Sequence, residues 1–217
     1  SQAGRYAKNH GARKVLVVSD PGVVAAGWTA DVIASLEEEG LPHVLFTGVS
    51  PNPRAAEVMA GAAIYEAEKC NALVAVGGGS PMDCAKGIGI VSSNGRDILT
   101  FEGVDQVQVP MPPLICVPTT GGTSADVSQF AIITNPFEKI KFAIISKSVV
   151  PDLSLIDPVT LTSMDPFLTG PQSWRGAFWP ASPFPMPFWE LPTPWPTASE
   201  AKKTLPTASA TPSCWTT

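Results

Sequence analysis

The chain has 217 residues, 44% of them apolar and only 15% charged, with a formal net charge of −5. That is enough chain for one domain, or one domain plus an appendage, and enough apolar material for a core. The acidic balance argues against nucleic acid or an anionic membrane as partner, since both attract basic proteins, and no apolar run approaches the roughly 20 residues that span a bilayer.

The polar start, Ser1–Gly11, lacks the apolar stretch of a signal peptide. Lys14–Ser19 is a short β-branched run and is predicted to be a buried strand. Asp20-Pro21-Gly22 reads as a turn. Val23–Glu39 is predicted to be one helix, with Val24, Trp28, Val32, Ile33 and Leu36 on a single face and Gly40 at its end. His43–Phe46 is a second strand. Pro51-Asn52-Pro53 breaks the chain, and Arg54–Cys70 carries Ala55, Val58, Met59, Ala62 and Tyr65 at helical spacing. Ala72–Val76 is a third strand and runs into Gly77-Gly78-Gly79-Ser80, with a helix from about Met82 to Val91. Leu114–Val117 is a fourth strand, leading into Pro118–Thr123. Phe130–Thr134 and Lys139–Ser146 read as a hairpin around Asn135-Pro136, and Leu153–Ile156 as a last strand.

Strands alternating with helices at this spacing predict an α/β fold, a Rossmann-like parallel sheet with flanking helices. Ligands in such sheets bind beyond the carboxyl ends of the strands. Three loops therefore define the candidate site: Asp20, Gly77–Ser80 and Thr119–Thr123. Glycines between a buried strand and a helix let backbone approach a phosphate, and the helix then offers free N–H groups and its positive dipole end. Ser80 can cap that helix or donate to phosphate. The same four residues also suit a plain strand–helix turn, and neither common nucleotide fingerprint is present. Asp20 can accept bonds from the ribose of an adenosine and would repel a 2′-phosphate, or it is a turn aspartate. Thr119, Thr120 and Thr123 can donate hydroxyls to a ligand or simply form a turn.

These residues resemble a known family. GGGSPMDCAKGI (77–88) is similar to the GGGSxxDxAK motif of the iron-containing alcohol dehydrogenases, and VPTTGGTSAD (117–126) to their PTTAGTGSE motif. KIKFAIIS (139–146), LSLIDP (153–158) and the MDP at 164–166 follow in the family's order, and Asp20 matches its acidic residue at the end of the first strand. The resemblance covers residues 1–169 and implies a dinucleotide-binding α/β domain of the dehydroquinate-synthase-like type, the N-terminal half of an NAD-dependent oxidoreductase. Hydride then passes between an alcohol or aldehyde and NAD, with iron or zinc held by a helical C-terminal domain. By residue, it implies that Gly78, Gly79 and Ser80 bind the pyrophosphate, that Asp83 lies near nicotinamide and substrate, and that Thr119, Thr120, Thr123 and Lys141 line the cofactor groove while Asp20 holds the adenosine ribose. Ser124-Ala125-Asp126 stands where the family has Gly-Ser-Glu and takes no role.

Two features depart further. The family has a strand before the match to Ser1, so the chain is expected to lack its natural start. The family's aspartate and histidines for the metal have no counterpart, because no histidine follows His43; this implies no metal ligand, no catalytic residue in the chain, an absent helical C-terminal domain and an inactive, truncated form. Residues 170–217 hold ten of the 23 prolines and five of the six tryptophans. This Pro/Trp-rich tail is expected to be disordered or frame-shifted, its prolines forbidding helix and central strand. The alternative is a stand-alone dinucleotide-binding module whose tail recruits a partner. Cys70, Cys84, Cys116 and Cys214 show no paired spacing and read as reduced thiols of a cytoplasmic protein, the first three in apolar contexts that suit burial. A homo-oligomer is compatible with all of this.

Overall fold

A computed structural model describes residues 2–163; the expectations for residues 164–217 lie outside them. Among the described residues, eight strands and five α-helices follow one another as α1 (Ala3–Asn9), β1 (Val15–Val18), α2 (Pro21–Ala25), α3 (Trp28–Glu38), β2 (His43–Phe46), α4 (Ala55–Ala67), β3 (Ala72–Gly77), α5 (Gly79–Asn94), β4 (Gly103–Val104), β5 (Leu114–Pro118), β6 (Phe130–Asn135), β7 (Ile140–Ile145) and β8 (Leu153–Ser154).

The main sheet has five strands in the order β2-β1-β3-β5-β8, all parallel. Chain direction around it reverses between β1 and β3, so their carboxyl ends frame the crevice where ligands bind in such sheets. Every residue of β1, β3 and β5 is buried, which is why these strands read as unbroken apolar runs. Alternation sorts them between two cores. Leu16, Val18, Leu73, Ala75, Leu114 and Cys116 face α4, α5 and the second sheet. Val15, Val17, Val74, Val76, Ile115 and Val117 face α1 and α3. The second, three-stranded sheet has the order β4-β7-β6, with β6 and β7 the antiparallel hairpin.

Chain geometry corrects several boundaries. The single helix read over Val23–Glu39 is two helices. Pro21 starts the first, its fixed φ suited to that position, and Asp20 caps it by accepting the N–H groups of Gly22 and Val23 at 2.8 and 3.0 Å. Gly27, at φ 89°, then turns the chain left-handed before Trp28. Val24 is consequently exposed rather than part of one apolar stripe. The helix expected from Met82 begins at Gly79, so Gly78 occupies the N-cap and Ser80 lies inside the first turn. α1 and β4 have too little apolar periodicity to be seen in sequence.

Helices approach closely where glycine permits. A Cβ on Gly87 of α5 would come within 2.9 Å of Val58 on α4, and one on Gly61 of α4 would overlap Ile88 on α5. Gly4 of α1 rests on α3, its N–H donating to Ser35 Oγ at 3.1 Å, and a Cβ there would overlap the Ser35 carbonyl. Because the obstruction is backbone, Gly4→Ala is expected to lower stability by about 1–3 kcal/mol, the usual cost of overpacking, read as a fall in the melting temperature of the 217-residue chain.

Candidate functional site

A groove of about 730 Å³ opens at the carboxyl edge of the main sheet. Asp20 at the end of β1, Gly78, Gly79 and Ser80 after β3, and Thr119, Thr120 and Thr123 after β5 all line it. The three loops singled out by sequence are thus neighbours in space, although up to 103 positions separate Asp20 from Thr123 in the chain. The loop after β2 supplies a fourth wall, with Val49, Ser50 and Pro51, and α2 and α3 add Val23, Ala26 and Trp28.

The glycine turn is built for close approach. A Cβ on Gly78 would sit 3.0 Å from Thr120 Oγ1, and one on Gly79 3.6 Å from the Thr123 side chain. The 16-residue α5 begins here, with first-turn N–H groups that have no acceptor inside the helix. Pairing of Gly77 with Pro118 continues into a bond from Thr119 N–H to the Gly77 carbonyl at 2.9 Å, which brings the threonines against the glycines. Thr119 is buried. Thr120 Oγ1 is also buried and has no hydrogen-bond partner, and a buried hydroxyl without a partner is costly and uncommon. Asp20 spends one oxygen, Oδ1, on capping α2; Oδ2 lies 3.4 Å from where a Gly77 Cβ would be.

Asp83 and Lys141 do not line this groove. Lys141 donates to Asn52 Oδ1 at 2.7 Å, and the Asn52 N–H donates to Ser80 Oγ at 3.2 Å, so Lys141 stands one residue away from the glycine turn. Asn52 is left-handed at φ 61°; Pro51-Asn52-Pro53 reads in sequence only as a break, and the signal it carries is an Asn in the loop after β2, on the same sheet edge. Asp83 lies on the turn of α5 after Ser80 and accepts the Ile132 backbone N–H. Burial raises its pKa to about 6, against the opposing pull of the Lys86 charge and that bond. Lys86 is wholly buried, and burial lowers its pKa while Asp83, Cys116 and Asp126 raise it. Asp126, given no role from sequence, accepts Ser154 Oγ–H at 2.6 Å. Ser124 sits at φ 53°, a conformation that suits the glycine found there in the motif it resembles. Cys70, Cys84 and Cys116 are free and buried, as expected, and burial pushes the Cys116 thiol up to about 12; Cys214 lies outside the described residues.

The family model described as iron-containing alcohol dehydrogenase matches residues 1–158. The chain belongs to the iron-containing alcohol dehydrogenase family. It is 42% identical over 169 residues to alcohol dehydrogenase 4 of Schizosaccharomyces pombe, an alignment covering 78% of this chain and 40% of that protein. Among solved structures, a 1,3-propanediol oxidoreductase superposes with a TM-score of 0.75 at 36% identity, over 76% of this chain and 44% of the other. Sulfoacetaldehyde reductase from Bifidobacterium kashiwanohense, solved in complex with NAD+, superposes with a TM-score of 0.69 at 30% identity, over 75% and 43%. The chain thus spans about two fifths of the length of the relatives it matches, and the matched part has the parallel α/β fold described above.

The raised pKa of Asp83 gives a pH test. In the folded chain its carboxyl titrates near 6 against an ordinary 3.8, so its contribution to stability is present in full below about 3.8 and is lost as pH rises through 6. Asp83→Asn keeps an acceptor for Ile132 but cannot ionise. Its melting temperature relative to wild type is expected to be more favourable at pH 7 than at pH 4, and an equal offset at both would count against this account.

Proposed function

We propose that the groove takes NAD, and that the protein's chemistry is hydride exchange between an alcohol, or its aldehyde, and that cofactor. The observation that carries this reading is the convergence of an acidic residue, a glycine turn opening a long helix, and a threonine loop on one groove at the carboxyl edge of a parallel sheet. The residues fit a dinucleotide. Gly78 and Gly79 leave a surface free of side chains for the pyrophosphate, and the first N–H groups of α5 face anionic charge with the positive end of the helix. Ser80 and the unpartnered Thr120 hydroxyl supply further donors, and Thr119 and Thr123 flank them. Asp20 Oδ2 is the acceptor for a ribose hydroxyl. Asp83 and Lys141 act from the second row, Lys141 through Asn52 and Ser80. Bound NAD supplies the hydride acceptor; the chain's own residues bind and orient it. The NAD+ complex of the Bifidobacterium relative supports this choice of cofactor.

The described residues do not fit an iron site. No group of three or more His, Cys, Asp or Glu side chains among them stands close enough to hold a metal ion. Of the chain's two histidines, His43 opens β2 opposite Val15, at the amino edge of the sheet and away from the groove, and His10 follows α1. The cofactor reading for this chain therefore runs through no metal. Also among the described residues, no helix is long and apolar enough to cross a membrane.

Calorimetric titration of the 217-residue chain tests the cofactor assignment. NAD is expected to bind more tightly than NADP, because the 2′-phosphate would meet the Asp20 carboxylate, a repulsion of about 1–4 kcal/mol between a wet and a partly buried site. Asp20→Ser is the informative variant: serine caps a helix about as well as aspartate, so α2 should survive while the charge is lost and the two affinities converge. NADP binding as tight as NAD in wild type would sink the assignment. Added iron(II) or zinc(II) is expected to leave NAD affinity unchanged, and a metal-dependent affinity would reveal ligands that the described residues do not provide.

A further inference from the structure

Lys86 is the one charged side chain that is fully buried among the described residues. Lysine is almost never fully buried unless paired, and a buried ammonium is tolerated only when its donors are satisfied. Here they are. Lys86 Nζ donates to the Ser128 carbonyl at 2.9 Å, to Ser128 Oγ at 3.2 Å and to the Phe130 carbonyl at 2.8 Å, one acceptor for each ammonium proton. All three acceptors lie in one short segment, the root of the β6–β7 hairpin just beyond the threonine loop. Asp83, one turn earlier on α5, accepts the Ile132 N–H, and Asp126 is held to β8 by Ser154.

The loop from Thr119 to Asp126 is therefore pinned at both ends. Upstream, Thr119 N–H bonds the Gly77 carbonyl. Downstream, the ammonium of α5 grips the backbone at Ser128 and Phe130. Between them Gly121, Gly122, Thr123 and Ser124 are exposed. A methionine or leucine could fill the same interior space, and for stability alone a buried charge is a poor choice. What the ammonium adds is direction, three bonds that set where the loop leaves the helix whose N-terminus forms the glycine turn.

We propose that Lys86 is a positioning residue for the cofactor site: it touches nothing in the groove, but it clamps the threonine loop against the glycine turn so that Thr120 and Thr123 meet the bound dinucleotide. This rests on the reading of the groove as an NAD site. Lys86 acts through the threonines, so its contribution and theirs are one coupled quantity rather than two separate ones.

The test is a double-mutant cycle on the 217-residue chain with two readouts, NAD affinity by calorimetry well below the melting temperature and amide hydrogen exchange. Lys86→Met is expected to weaken NAD binding on the order of tenfold, the factor that 1.4 kcal/mol represents, and to speed exchange in residues 119–128 while β1 and β3 stay protected. In a Thr120→Val background the same change should cost little further affinity. A folded Lys86→Met variant with wild-type affinity, additive losses, or protection lost evenly across the sheet would overturn the proposal. If wild type binds no NAD, the cofactor reading fails and the exchange pattern alone decides whether Lys86 is the clamp. Should Lys86→Met not fold, Ser128→Ala removes one acceptor and leaves the charge, and the same two readouts apply with a smaller loss; additivity there overturns the proposal equally.

Discussion

Parallel strands cannot be joined by a tight turn, so each pair needs a crossover that returns the chain to the same edge of the sheet. Everything that bears on function in this molecule follows from that constraint. With β1, β2, β3, β5 and β8 all parallel, every strand ends on one edge, and the loops after β1, β2, β3 and β5 are forced together there. The crossovers cover both faces, which demands strands that are apolar on both sides, and the two cores on either side of β1, β3 and β5 meet that demand. Rigid packing below and short polar loops above are two results of one arrangement.

The helix α5 connects the halves of this design. Its N-terminus opens at the glycine turn, its middle carries Gly87 against α4 and Lys86 toward the hairpin, and Gly95 ends it in a left-handed conformation. A single rigid element thus supports the cradle and the far side of the threonine loop at once. The exposed stretch between those supports needs no secondary structure of its own, because its ends are held by the Gly77 carbonyl and the Lys86 ammonium. The buried side-chain nitrogen and oxygen atoms of the described residues have partners except Thr120 Oγ1 and Ser92 Oγ. Ser92 lies near the far end of α5, whereas Thr120 lies at the groove, where a ligand can complete it.

Two acids at helix starts, Asp20 and Glu57, show how one side chain can hold a helix and a wall of the groove together. Asp20 uses one carboxylate oxygen to begin α2 and keeps the other toward the groove. Glu57 closes the start of α4 by accepting the N–H of Arg54 at 3.1 Å, and it also accepts Ser50 Oγ–H at 2.7 Å, on the loop that walls the groove. Removing either acid would disturb a helix and a wall together, so a variant that keeps the cap separates the two effects.

Local sequence determined a good deal of this. The apolar runs at Val15–Val18, Ala72–Gly77 and Leu114–Pro118 are strands buried on both faces of a parallel sheet, His43–Phe46 is its half-exposed edge strand, and the alternation with helices fixed the fold class. The α4 face of Ala55, Val58, Ala62 and Tyr65 is buried as its spacing implied. Asp20, the glycine turn and the threonines were legible as strand-end loops of one sheet edge. Tertiary structure decided the rest. Residues 23–39 carried one helical stripe, and only the left-handed Gly27 with a cap at Asp20 divides this stretch in two. Asn52 reads as part of a break, yet it bonds Ser80 28 positions away and Lys141 89 positions away and so bridges the two. Lys86 read as a motif letter, and nothing local announced that its ammonium would be fully buried and spend its three protons on Ser128 and Phe130. Periodicity and turn chemistry are properties of neighbours in sequence, whereas a partner 42 or 89 positions away is chosen by the packing of whole elements, and that choice exists only in the folded chain.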